Sequence, residues 1–114
     1  MPPDDQTRIR HMIDAAEAAL RLCTGMDRAA FVADERTYRA VFQCIEVIGE
    51  AGNHVTAATR EQLPDVPWHK ITGMRNRLAH VYFDIDVDLV WQVVEKDLQP
   101  LLQALNRWPG LDTR

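Results

Sequence analysis

The side chains that could do chemistry in this chain gather in Arg75-Asn76-Arg77-Leu78-Ala79-His80-Val81-Tyr82. Arginine brings a permanent positive charge on a planar fork that fits a phosphate. Histidine is the one side chain whose ordinary pKa lets it give or take a proton near neutral pH. On a helix, Asn76 and His80 are four apart and share a face. Arg75 stands about 100° further round, but its side chain is long enough to reach the same spot. Beyond a helix end, His80 and Tyr82 would point to one side of an extended chain. Arg75, Asn76, His80 and Tyr82 can therefore converge, and such a set could cut a phosphodiester without a metal. The spacing alone also admits a plainer arrangement. There His80 would cap a helix C-terminus, and Arg75 or Arg77 would pair with a nearby carboxylate.

Charge is segregated at this point. From Trp68 to His80 the chain carries Lys70, Arg75, Arg77 and two histidines with no acid, whereas Asp84 to Asp97 carries five acids and one lysine. The whole chain has a formal net charge of −4. That balance argues against a protein that coats nucleic acid non-specifically, which depends on neutralising phosphates. It leaves room for a local cationic pocket.

Other constellations point to packing rather than chemistry. Asp84-x-Asp86-x-Asp88 with Glu95 imitates part of a calcium loop, but Leu89 stands where the sharp turn needs glycine. An acidic helix start is the better account. His11, His54, His69 and His80 lack metal-ligand spacing, and no metal is expected. Trp68, Trp91 and Trp108 fall at core or helix-edge positions. Cys23 and Cys44 fall at core positions of helices and read as reduced thiols of a cytoplasmic protein.

The elements that must position the motif read as helices. Ile9, Ile13, Ala16, Leu20 and Cys23 form one apolar stripe, ended by Gly25. A second helix runs from about Asp34 to Val55, with Gly49 and Gly52 on its apolar face, so another helix can approach closely there. Phe31 and Val32 form a short turn before it. Thr59-x-x-Gln62 reads as a capping box for a brief helical turn. Pro67 opens a third helix from Trp68 to about Ala79. The last helix runs from about Asp86 to Trp108, with a kink or local break expected from Pro100. No segment reads convincingly as a strand. The 114 residues form a single domain, an all-α up-and-down bundle of four main helices with short extra turns, its ends 1–5 and 109–114 frayed. No apolar run approaches the roughly 20 residues that cross a bilayer, and no apolar signal core stands at the N-terminus. Val81, Phe83 and Ile85 have no inward helix position, and an apolar patch beside the motif would suit a homodimer interface.

Arg75-x4-His80-x-Tyr82 resembles the signature of HepT-like proteins, helical ribonucleases of the HEPN superfamily. Glu46-Val-Ile-Gly-Glu50-Ala51 resembles the family's Ile-Gly-Glu-Ala segment. Pro67-Trp68 and the aspartates before the last helix also match, so the likeness spans about Arg8 to Arg107. The resemblance implies a HEPN-like fold and the toxin of a toxin–antitoxin pair, a homodimeric endoribonuclease with its two motifs meeting in a cleft between the subunits. It implies cleavage of RNA without a metal, by attack of the 2′-hydroxyl on the adjacent phosphate. Arg75 and His80 would be catalytic, with Asn76 orienting the imidazole or the substrate. Glu50 or Arg77 would play a supporting part, Glu50 by holding Arg75 or Arg77. The implied partner is a minimal nucleotidyltransferase antitoxin that transfers AMP from ATP onto Tyr82. No other cofactor, no DNA and no membrane are expected. The alternative is a non-catalytic helical module that binds a nucleotide or docks the nucleotidyltransferase.

Overall fold

The computed structural model of the chain describes residues 4–79 and 84–111. Helix α1 (Asp5–Leu22) begins at Asp4, whose carboxylate accepts the backbone N–H of Thr7 at 3.0 Å. It ends through Cys23 into Gly25, which takes the left-handed φ of 78° that glycine tolerates best. Two residues expected in a frayed end, Asp4 and Asp5, are instead fixed. The Asp5 carboxylate accepts from the backbone N–H of Thr56 at 3.1 Å, from the Thr59 hydroxyl at 2.6 Å and from the Thr56 hydroxyl. Burial pushes this carboxyl up, but the three hydrogen bonds outweigh it and hold the pKa below the usual carboxylate value.

Helix α2 (Arg28–Ala33) replaces the turn expected at Phe31 and Val32. Asp27 caps it by accepting from Ala30 N–H at 2.8 Å, and Phe31 is fully buried against Trp91. Helix α3 (Glu35–Asn53) follows, capped by Asp34 through Thr37 N–H. That hydrogen bond holds the Asp34 carboxyl below its ordinary value. Helix α3 packs along α1 more extensively than any other pair of elements. Ile9, Met12, Ile13 and Ala16 of α1 meet Val41, Ile45 and Ile48 of α3 in the core.

Helix α4 (Ala57–Gln62) starts one turn earlier than the expected capping box. Thr56 takes the cap position, and Thr59 lies inside the helix, buried on Asp5. The third long helix is in fact two short ones, α5 (Trp68–Thr72) and α6 (Met74–Leu78), joined at Gly73. Glycine inside a helix costs about 1 kcal/mol relative to alanine, so the joint falls there readily. The glycines of α3 behave as their spacing implied. A methyl group on Gly49 would lie 3.3 Å from the Ile71 carbonyl oxygen, and one on Gly52 would lie 3.4 Å from the Ile71 side chain. Helix α5 therefore crosses α3 in direct contact.

Ala79 leaves the helix in extended conformation, with φ −151° and ψ 135°. It forms an isolated antiparallel bridge with Ile85, and Asp86 N–H donates to Leu78 C=O at 2.7 Å. Among the described residues this bridge is the only β pairing, and the fold is all-α. Helix α7 (Val87–Gln92) is capped by Asp86 through Leu89 N–H at 3.1 Å. It runs through a π-helical turn (Val93–Asp97) into α8 (Leu98–Asn106). The break expected from Pro100 takes this form. Pro100 has no N–H for the carbonyl four residues earlier, and the wider turn just before it absorbs the mismatch. Leu98, Leu101 and Leu105 then bury the α8 face. Beyond α8, Trp108 is buried and its indole N–H donates to the Gln62 side chain at 2.7 Å. Leu111 N–H reaches back to Trp108 C=O, so 109–111 is turned onto the domain rather than frayed. Among the described residues no helix is long and apolar enough to cross a membrane.

Candidate active site

Helix α6 is short, and its two neighbours on the motif face opposite ways. Met74 and Leu78 are buried and anchor the helix. Arg75, half-buried, and Asn76, exposed, turn into an open cleft of about 670 Å³ between α1, α3 and the α5–α6 pair. Arg77 turns the other way. It lines a separate depression with Lys70, Leu89 and Asp97 against the last helix. The acid-free stretch of the sequence is thus split between two surfaces. It also meets the acidic stretch that follows it, since Lys70 Nζ lies 3.4 Å from Asp97.

Arg75 is held from one side. Its Nε donates to Glu46 Oε2 of α3 at 3.5 Å, with both side chains about one-third exposed at 37% and 31%. Bonding at Nε leaves both terminal nitrogens of the guanidinium for another acceptor, which suits a phosphate. The carboxylate that meets Arg75 is Glu46, one turn before Glu50. Glu50 lines the same cleft but reaches His54 of its own helix at 3.4 Å, and its side chain is 75% exposed. The segment Glu46-Val-Ile-Gly-Glu50 therefore offers two carboxylates to the cleft, and the spacing to Arg75 selects the first.

Helix α6 stops at Leu78, just short of the end expected at about Ala79, and Ala79 is extended. The cause is the bridge to Ile85 and the burial of Ala79, which pull the chain away from the helix axis. His80 and Tyr82, with Val81 and Phe83, lie outside the described residues. Ile85, expected in an exposed apolar patch, is half-buried and packs on the core.

Sequence reasoning passed over two further cleft residues, Arg8 and His11 of α1. They flank Ile9 of the apolar stripe and stand three apart, so they share the edge of α1 that faces α6. That spacing was the available signal. Their distance along the chain from the motif is what hid them.

The remaining expected features are structural. Asp86 caps α7, and Asp88 pairs with Arg28. Trp91 and Trp108 are buried, and the half-buried Trp68 donates to Leu63 C=O at 3.1 Å while Arg60 stacks over its ring. Cys23 and Cys44 are free thiols, the first buried and the second half-buried. Burial pushes both thiols up, and for Cys23 the nearby Cys44 adds to it. Among the described residues no three His, Cys, Asp or Glu side chains come together as a metal site.

Comparison with known proteins adds a lineage to this geometry. Residues 12–108 match the family described as HepT-like ribonucleases. A candidate RNase of Methanocaldococcus jannaschii is 33% identical over 95 residues, 83% of this chain and 87% of the relative. A candidate ribonuclease HepT of Thermococcus cleftensis is 35% identical over 71 residues, covering 62% and 64%. A candidate RNase of Caldanaerobacter subterraneus subsp. tengcongensis is 31% identical over 93 residues, covering 82% and 83%. No solved structure matches the chain.

Proposed function

The chain belongs to the HepT-like ribonuclease family, and from this premise we propose that it is a metal-independent endoribonuclease acting as the toxin of a toxin–antitoxin pair. The observation that carries the reading is Arg75, held at Nε by Glu46 with its phosphate-binding edge directed into an open cleft.

In the proposed reaction an RNA phosphate binds the free nitrogens of Arg75. The adjacent 2′-oxygen attacks phosphorus, and the bond from phosphorus to the 5′-oxygen breaks. A cyclic 2′,3′-phosphate and a 5′-hydroxyl result. One proton leaves the 2′-hydroxyl and one reaches the departing 5′-oxygen. His80 is the group with the right pKa range for such transfers. One imidazole cannot be acid and base at once, so a homodimer with two His80 side chains in a shared cleft would divide the roles. Arg75 stabilises the charge that builds on the phosphoryl oxygens. Asn76, on the cleft rim, orients the substrate. A single domain, residues 1–114, holds this machinery.

Inhibition follows from the same electrostatics. A minimal nucleotidyltransferase antitoxin would join the Tyr82 oxygen to the α-phosphorus of ATP and release pyrophosphate. The AMP left on Tyr82 places negative charge and bulk two residues from His80, where a substrate phosphate has to bind.

The test is cleavage of a fluorogenic RNA with chelator present, by chain purified without the nucleotidyltransferase. His80→Ala is expected to abolish cleavage at unchanged helical content, and Arg75→Lys to impair it severely because a point charge replaces the fork. Full activity in His80→Ala would remove the catalytic assignment. An unmodified chain that leaves RNA intact would support instead a non-catalytic module that binds a nucleotide or docks the nucleotidyltransferase.

A further inference from the structure

The cleft contains more positive charge than the motif supplies, and that charge is differently committed. On the α3 wall each carboxylate already has a neighbour. Glu46 lies against Arg75, and Glu50 reaches His54. On the α1 wall Arg8 and His11 line the same cleft, and among the described residues neither side chain forms an ion pair or a hydrogen bond. The Nε of Arg8 is buried and unsatisfied. A buried donor without an acceptor is costly, on the order of 1–3 kcal/mol, and such a group is met in native proteins where a ligand or water completes it.

We propose that Arg8 and His11 form a second phosphate subsite, which grips the RNA backbone beside the phosphate held by Arg75. This rests on the ribonuclease reading above and extends it from one scissile phosphate to a stretch of strand. The geometry suits it in three respects. Arg8 and His11 stand three apart on one helix and so present a guanidinium and an imidazole along one short edge rather than at a point. The edge faces α6 across an open groove, which a strand can enter from the side. Val47, exposed at 38%, lies in the groove between the charged walls and offers an apolar surface for a sugar or base. The two carboxylates of the cleft do not cancel the subsite, because Glu46 lies against Arg75 and Glu50 is turned to His54 and to solvent, its side chain 75% exposed.

The subsite predicts a role in binding, not in proton transfer. The experiment measures the affinity of a 2′-O-methyl oligoribonucleotide, which lacks the attacking hydroxyl and stays uncut, as a function of salt. It is read beside cleavage of the corresponding RNA. For single strands, each phosphate neutralised contributes about 0.7 to the slope of log affinity against log salt. Arg8→Gln is expected to lower affinity about ten-fold and to reduce the slope by about 0.7, the loss of one charged contact. His11→Gln, at an exposed position, is expected to cost about three-fold. Arg8→Lys restores the charge without the fork and is expected to recover most of the slope. Arg36→Gln removes an equal charge from an exposed position of α3 outside the cleft and is expected to leave affinity and slope as in the wild type. In cleavage, the Arg8 and His11 variants raise KM far more than they lower kcat.

Wild-type cleavage with unchanged affinity, slope and KM in both α1 variants overturns the subsite and leaves the ribonuclease reading standing. An equal loss in Arg36→Gln and Arg8→Gln also overturns it, because net charge alone would then be responsible. A wild-type chain that neither binds the oligonucleotide nor cuts RNA overturns both readings together.

Discussion

Replacing Glu46 tests whether the carboxylate positions Arg75 or competes with substrate for it. The two roles predict opposite signs. As a competitor, Glu46 occupies the guanidinium until a phosphate displaces it, and any substitution that removes its charge raises activity. As a positioning group, it holds Nε and leaves the other edge of the fork directed into the cleft. The structure favours positioning, because among the described residues Glu46 meets Arg75 through a single 3.5 Å bond at Nε. A buried charged hydrogen bond would contribute about 1.5–3 kcal/mol. With side-chain exposures of 37% and 31%, screening reduces this to about 1 kcal/mol. If Arg75 must be reoriented in the transition state at that cost, Glu46→Ala lowers kcat/KM about five-fold. The same energy lowers the melting temperature by at most about 4–8 °C. Glu46→Gln keeps an acceptor for Nε and loses only the charge, so it is expected to recover most of the activity. The assay is steady-state cleavage of a fluorogenic RNA by wild type and both variants, with melting followed by circular dichroism. Equal loss in the Gln and Ala variants would refute positioning through the Nε bond. A rise in both would establish competition.

Two further outcomes concern the scaffold. Asp5 has a folded pKa below its ordinary value, so its contribution to stability is present above the unfolded pKa and is lost as pH falls through the folded one. Denaturant unfolding of Asp5→Asn should therefore show a deficit at pH 7 that closes in acid, and a deficit independent of pH would contradict the hydrogen-bonded carboxylate. The α3 glycines should respond differently to alanine. A methyl on Gly52 meets only side chains at 3.4 Å and 3.5 Å, whereas one on Gly49 meets a backbone carbonyl at 3.3 Å. Gly52→Ala is expected to stabilise by up to about 1 kcal/mol through helix propensity, while Gly49→Ala gains nothing or destabilises and, by displacing α5, lowers cleavage as well. Melting temperatures that rise equally in both variants would remove the close crossing from the account.

The long helices were legible because a continuous apolar stripe leaves little choice of face. Ile9 to Cys23 and Tyr38 to Val55 mark α1 and α3 almost to their ends, and Gly49 with Gly52 marks their crossing with α5. The segments that escaped the reading are those decided by tertiary contacts. Phe31 sits in a helix, rather than a turn, because Trp91 of α7, distant in the chain, gives it a buried partner and Asp27 caps it locally. Thr59 looks like a cap in sequence, but Asp5 draws its hydroxyl inward. Gly73 was the visible warning that the motif helix is two pieces, and periodicity alone smoothed over it.

The site was legible in its residue types and less so in its geometry, for a related reason. A motif read on an ideal helix puts Asn76 and His80 on one face, and that reading needs a helix that runs past Ala79. Here the helix ends at Leu78, and Ala79 is pinned in extended form by Ile85 and by the hydrogen bond from Asp86 to Leu78. The chain between Ala79 and Ile85 therefore starts and ends at fixed points on the bundle, while Arg75 is fixed separately through Glu46 on α3. Arg75 and the two residues that bracket the rest of the motif, Ala79 and Ile85, are thus positioned by different parts of the core. The same separation explains why charge segregation in the sequence was an incomplete guide. Arg77 and Lys70 fall on the far surface with Asp97. Arg8 and His11, remote in sequence, are the basic residues that the fold brings to the cleft beside Arg75.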